Sequence, residues 1–117
     1  MTSKMQTGNE GESAAAEYLF GKGYEVVERN YRYGRAEIDL IVKKKNWLVF
    51  VEVKTRSSSD FGFPEEFVDR AKEDLILMAA ENYIYKINWE GNVRYDIVSV
   101  LGVGVGREIM HFEDAFY

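Results

Sequence analysis

The stretch AEIDLIVKKKNWLVFVEVKTR, Ala36 to Arg56, decides how this chain of 117 residues folds. It holds two apolar, β-branched runs, Glu37–Val42 and Trp47–Thr55, parted by Lys43-Lys44-Lys45-Asn46. Short apolar runs split by a few polar residues predict a β-hairpin. Within them sit Glu37, Asp39, Glu52 and Lys54. Charge inside a buried strand is costly unless it is paired or binds a cation, so these four side chains need a role.

A symmetric four-residue loop sets Val42 opposite Trp47, Leu40 opposite Val49, Asp39 opposite Phe50 and Glu37 opposite Glu52. Side chains alternate along a strand, so this register puts Glu37, Asp39 and Ile41 on one face with Leu48, Phe50, Glu52 and Lys54. Asp39 becomes the diagonal neighbour of Glu52, about 7–8 Å away between side-chain bases. Two carboxylates reaching inward from there can share a hard cation, with bonds of about 2.0–2.1 Å for magnesium. A slip of one residue turns Asp39 to the other side of the sheet and dissolves the arrangement.

On the N-terminal side, residues 8–20 are predicted as a helix, alanine-rich in Ser13–Ala16 and stopped by Gly21 and Gly23. Its apolar stripe is Ala15, Ala16, Leu19 and Phe20. Helical spacing brings Glu12 onto that stripe and leaves Glu10 and Glu17 off it. Glu12 suits the positive first turn of the helix, and equally suits a charge cluster beside the hairpin. Tyr24–Arg29 is a predicted strand, followed by a link, Asn30-Tyr31-Arg32-Tyr33-Gly34-Arg35, that ends in a glycine turn. Arg32 and Arg35, with Arg56 beyond the hairpin, can contact phosphates, and Tyr31 or Tyr33 can stack on a base; a strand edge with solvated arginines is the simpler reading.

On the C-terminal side, Thr55–Phe63 is serine-rich and loop-like, and Pro64 suits the first turn of a helix over 65–85. Val68, Leu75 and Ala79 form its stripe, which also carries Lys72; Met78 and Tyr83 are assigned to the core. Val93–Val103 is a predicted strand and Glu108–Phe112 a short last one. Gly102, Gly104 and Gly106 form a turn and not a phosphate loop, since no Gly-Lys-Ser/Thr follows.

Composition excludes several chemistries. There is no cysteine, and His111 is the single histidine, so a thiolate site, a zinc cluster and a histidine relay are ruled out; His111 reads as structural. The N-terminus lacks the apolar core of a signal peptide, and no run approaches a membrane span, which predicts a cytoplasmic protein of one domain over 1–117 without membrane contact. The net charge of -5 argues against a generic nucleic-acid binder. Yet Arg29–Arg56 holds eight basic residues against three acids, leaving seven basic and seventeen acidic elsewhere of the 15 and 20 in the chain. The positive excess therefore lies around the hairpin, where a phosphate backbone can meet it.

If Glu12, Asp39 and Glu52 converge, carboxylates about 4 Å apart repel by roughly 4 kcal/mol per pair at an effective dielectric near 20. An all-oxygen donor set, completed by the strand carbonyl of Val53, selects Mg2+ or Mn2+ over zinc. Lys54 then orients a water or neutralises charge at phosphorus. Phosphodiester hydrolysis uses all of these parts.

The order of a helix acid, Glu37-Ile38-Asp39-Leu40-Ile41, Phe50-Val51-Glu52-Val53-Lys54, then a helix with Lys72, resembles the PD-(D/E)XK nuclease superfamily. More closely, Gly8-Asn9-Glu10-Gly11-Glu12 with Ala15-Ala16, Arg29-Asn30-Tyr31-Arg32, Ala36-Glu37-Ile38-Asp39-Leu40-Ile41, Val51-Glu52-Val53-Lys54-Thr55-Arg56 and Ala115-Phe116 resemble the YraN-like family of uncharacterised bacterial proteins, which is similar to archaeal Holliday junction resolvases. The resemblance implies an α/β fold, a restriction-endonuclease-like core with a mixed central sheet flanked by helices in αβββαβ order. It implies Asp39, Glu52 and Glu12 as metal ligands, Lys54 as the catalytic lysine and Lys72 as an auxiliary polar residue. It also implies an endonuclease on branched or structured DNA, with RNA left open and a homodimer compatible. The chain departs from the family pattern at Ala36, where glycine is usual, and at Glu73, where glutamine is common. The alternative is a nuclease-fold module that binds nucleic acid or protein without cleavage.

Overall fold

The computed structural model describes residues 4–56, 70–102 and 106–116. Helix α1 (Lys4–Gly21) leads into β1 (Glu25–Tyr33), β2 (Ala36–Lys44) and β3 (Trp47–Arg56). Helix α2 (Arg70–Ile87), β4 (Asn92–Leu101) and β5 (Glu108–Phe112) follow. The strands form one sheet in the order β1-β2-β3-β4-β5. β3 and β4 run parallel and the other neighbours antiparallel. A parallel pair needs a long crossover, and the segment carrying α2 supplies it. This mixed sheet with flanking helices is the expected α/β architecture, consistent with a restriction-endonuclease-like core. Among the described residues no helix is long and apolar enough to cross a membrane.

The central strands carry apolar residues on both faces because each face is covered. Ala14, Ala15 and Leu19 of α1 pack on Leu40, Val42, Val49, Val51, Val98 and Val100. Ile76, Ala79, Ala80 and Tyr83 of α2 pack on Ile41, Leu48, Phe50, Tyr95 and Ile97. Phe50 is completely buried, stacked on Tyr95 at 5.5 Å and edge-on to Tyr83 at 6.3 Å. Rings in such arrangements gain about 0.5–1.5 kcal/mol per pair beyond the area they bury.

Several boundaries and stripes differ from the sequence reading. Phe20 and Met78, assigned to apolar faces, are exposed, and Leu75 lies at the margin of its stripe. The buried face of α2 is rotated toward Ile76, Ala80 and Tyr83. The aromatic and arginine link after Arg29 is strand as far as Tyr33, held by pairing to Ala36–Ile38. Pro64, Val68, the expected loop beyond Arg56 and the start of the helix expected at residue 65 lie outside the described residues.

The hairpin loop is two residues, Lys45-Asn46, with Lys45 at φ 55°. Lys43 and Lys44 belong to the strand, pairing with Leu48 and Trp47. Each lysine has somewhere to lay its stem and place its charge. Lys43 lies over the Trp89 ring at 5.7 Å and Lys44 over Tyr24 at 5.2 Å. The register is thus shifted by two residues from the symmetric four-residue loop. A shift of two preserves which face a side chain takes, whereas a shift of one would not.

Candidate functional site

The β2–β3 ladder ends at Leu40 with Val51. One step further, the same register sets Asp39 directly opposite Glu52, closer than the diagonal relationship expected. There the backbone pairing stops and the Asp39 side chain takes over, its Oδ2 accepting the Val53 N–H at 2.8 Å. On the other flank, Arg29 pairs with Leu40 and Tyr31 with Ile38, which leaves Asn30 across from Asp39 without a ladder pair between them. Asn30 has φ 54°, a left-handed conformation that asparagine tolerates better than most residues.

That interruption turns both strands over. Arg29 donates to Ser13 of α1 at 3.2 Å, whereas Tyr31, two residues on, donates to Asn82 of α2 and packs edge-on to Tyr83. Likewise Leu40 joins the α1 core and Ile38 the α2 core. Regular alternation would keep each such pair on one face. Glu37 consequently leaves the face of Ile41 expected for it, pairs with Arg32 at 2.8 Å and lies within electrostatic reach of Glu12. The twist opens a cleft at Asp39 that side chains from both helical layers can reach.

Glu12 from α1, Asp39 from β2, Glu52 and Lys54 from β3, and Lys72 from α2 lie within electrostatic reach of one another around this point. Glu52 is buried, with its Oε1 2.6 Å from Lys72 Nζ and 3.6 Å from Lys54 Nζ. Burial first, then the charge of Glu52, raises the Asp39 pKa to about 7, against the pull of the Val53 N–H. Glu12 is also raised by burial, with Glu37 and Glu52 adding to it and Asn30 and Arg29 opposing. Its Oε1 is buried without a hydrogen-bond partner. Burial and the neighbouring Lys72 lower the Lys54 pKa. Burial acts to lower Lys72 too, but its hydrogen bond and attraction to Glu52 prevail and raise it.

The donor chemistry fits a hard cation: two facing carboxylates, a third with an unsatisfied oxygen, and the backbone of Val53 beside them. As they stand, no three His, Cys, Asp or Glu side chains among the described residues group tightly enough to enclose an ion. The two lysines instead supply the positive charge at Glu52. Arg35 is exposed and lines the cleft with Glu37, Asp39, Glu52 and Lys72. Arg32 is exposed and committed to Glu37, and Arg56 is half-buried at the end of β3.

Sequence reasoning missed Asn30, whose signal is an asparagine inside the strand-like run EVVERNYRY. It also missed a polar network at the opposite part of the sheet. Asp96 is completely buried, receives two hydrogen bonds of 2.8 Å from Arg94, and meets His111 Nε2 at 2.7 Å and the Asp114 N–H at 3.0 Å. Arg94 also donates to Tyr24 at 2.7 Å. These satisfied contacts tie β5 and the start of β1 to β4, a structural use of His111.

Residues 11–100 match the model of an uncharacterised protein family, UPF0102. The chain is 46% identical to a UPF0102 protein of Flavobacterium psychrophilum over 110 residues, covering 94% of this chain and 92% of that one. It is 39% identical to one of Christiangramia forsetii over 117 residues, covering 100% and 98%. A third, from Phocaeicola vulgatus, is 38% identical over 117 residues, covering 100% and 97%.

Proposed function

This chain belongs to the uncharacterised protein family UPF0102, the YraN-like group, and we propose that it is a metal-dependent endonuclease that hydrolyses phosphodiester bonds in structured or branched DNA. The observation that carries the reading is the facing pair Asp39 and Glu52 at the point where the β2–β3 ladder opens, with Lys54 and Lys72 beside it. A purely structural pair of acids would gain nothing from being set against one another at a cleft. Asp39, Glu52 and Glu12, with the Val53 carbonyl, are the residues that would hold Mg2+ or Mn2+. Such an ion supplies polarisation of a phosphoryl oxygen and a more acidic bound water.

The protein's own groups do the rest. Lys54, whose pKa burial and the neighbouring Lys72 lower, is suited to orient an attacking water. Lys72, held cationic by Glu52, offsets negative charge at the scissile phosphate. Arg35 at the cleft rim, with Arg32 and Arg56 nearby, supplies phosphate contacts that position a strand without reading its sequence.

The test is cleavage of labelled four-way junctions, flaps and single strands in Mn2+, comparing the wild type with Asp39→Ala and Lys54→Ala. Cleavage lost in both variants supports the reading. Cleavage retained by Lys54→Ala removes its assigned role, and absence of wild-type cleavage of every substrate removes the enzyme. One observation favours the second reading, a binding module without cleavage: Lys72 already closes on Glu52 at 2.6 Å. That reading predicts junction binding that Asp39→Ala leaves intact.

A further inference from the structure

Asn30 is the residue at which β1 turns over together with β2, and it lies across from Asp39. Its side-chain amide also lies by the Glu12 carboxylate and favours its charged form. The other cation-side neighbour, Arg29, is engaged with Ser13 at 3.2 Å. Glu12 keeps a buried oxygen, Oε1, without a partner. An amide on a carboxylate orients it without neutralising it, and so preserves its charge for a ligand on the free side.

We propose that Asn30 is a positioning residue of the site: its left-handed backbone produces the paired turnover of β1 and β2, and its amide holds Glu12 toward Asp39 and Glu52. The inference rests on the metal-site reading above and adds a residue outside the acid and lysine set. Two separable demands fall on one position. Any residue with a Cβ other than asparagine or aspartate resists φ near 54°, while aspartate would set a like charge against Glu12. Glycine meets the backbone demand and lacks the amide.

Three measurements on the full chain test this. In Mn2+ calorimetry, Asn30→Gly is expected to fold as the wild type does and to bind about 10-fold more weakly, the lower end of the loss typical for a group that orients a metal ligand. In a Glu12→Ala background, adding Asn30→Gly is expected to cause no further loss, because Asn30 acts through Glu12. Wild-type affinity in Asn30→Gly, or an additive loss in the double variant, overturns the proposal. The contact is checked without metal by NMR: the Asn30 side-chain amide resonances shift in Glu12→Ala, and unchanged resonances overturn the proposal. A wild type that binds no Mn2+ while those resonances do shift overturns the metal-site reading and leaves the Asn30–Glu12 contact standing.

Discussion

The Asp39 carboxylate accepts the Val53 N–H at 2.8 Å, one step past the last backbone pair of the β2–β3 hairpin. A side chain thus satisfies a strand donor that the opened ladder would otherwise leave exposed to the cleft. The same carboxylate faces Glu52 and is half-buried, and its contact with Val53 does not offset the cost of its charge.

That balance predicts a pH signature. The folded pKa of Asp39, about 7, exceeds its ordinary value of 3.8, so the folded state holds the proton more tightly than the unfolded chain. The stabilising contribution is complete below about pH 4 and is lost as pH rises through about 7. Asp39→Asn keeps an acceptor for Val53 and removes the charge. In urea unfolding without divalent ions it is expected to gain a few kcal/mol over the wild type at pH 8 and little at pH 4. Equal gains at both would remove the electrostatic account.

Mn2+ binding is expected to release protons, because a ligand carboxylate must be ionised. With Asp39 half-protonated near pH 7, apparent affinity rises with pH until it passes that value. Calorimetry in two buffers of different ionisation enthalpy reads the proton count directly. No difference between buffers at pH 6 would place the ion away from Asp39.

Gly11 sets how closely α1 approaches β3. A Cβ there would lie 2.0 Å from Thr55 Oγ1 and 3.1 Å from Thr55 Cβ. The clash exceeds what helix propensity returns, about 1 kcal/mol for glycine to alanine. Gly11→Ala is expected to cost about 1–3 kcal/mol by overpacking, and Thr55→Ala in the same chain to recover most of it. Because Glu12 is the next residue, the single variant should also weaken Mn2+ binding. Additivity in the double-mutant cycle would show that the two residues do not meet.

Asp96 has the opposite pH sign to Asp39. Burial acts to raise its pKa, but the Arg94 and His111 hydrogen bonds and the Asp114 N–H together hold it below its ordinary 3.8. Its contribution is present above that value and is lost as pH falls through the lower folded pKa. Asp96→Ala is expected to cost about 3–5 kcal/mol at pH 7 by leaving Arg94 and His111 without their partner. The deficit should shrink in urea titrations at about pH 3, and a constant deficit would point to packing alone.

The sequence by itself determined the element order, the hairpin and the residues that carry chemistry. Apolar runs of strand length around Asp39 and Glu52 admit one structure class, and a charged residue inside such a run announces itself. Face assignment for Asp39 and Glu52 survived a register error because a two-residue shift preserves strand parity. Tertiary structure alone decided three things. Whether Lys43 and Lys44 end the strand or begin the loop depended on Trp89 and Tyr24, distant rings that cover their stems. The turnover of β1 and β2 at Asn30 and Asp39 depended on a backbone angle that asparagine permits without requiring. The use of His111 depended on Asp96 and Arg94 arriving from a neighbouring strand. Local pattern records what a residue can do, and the packing of residues remote in the chain selects among those options.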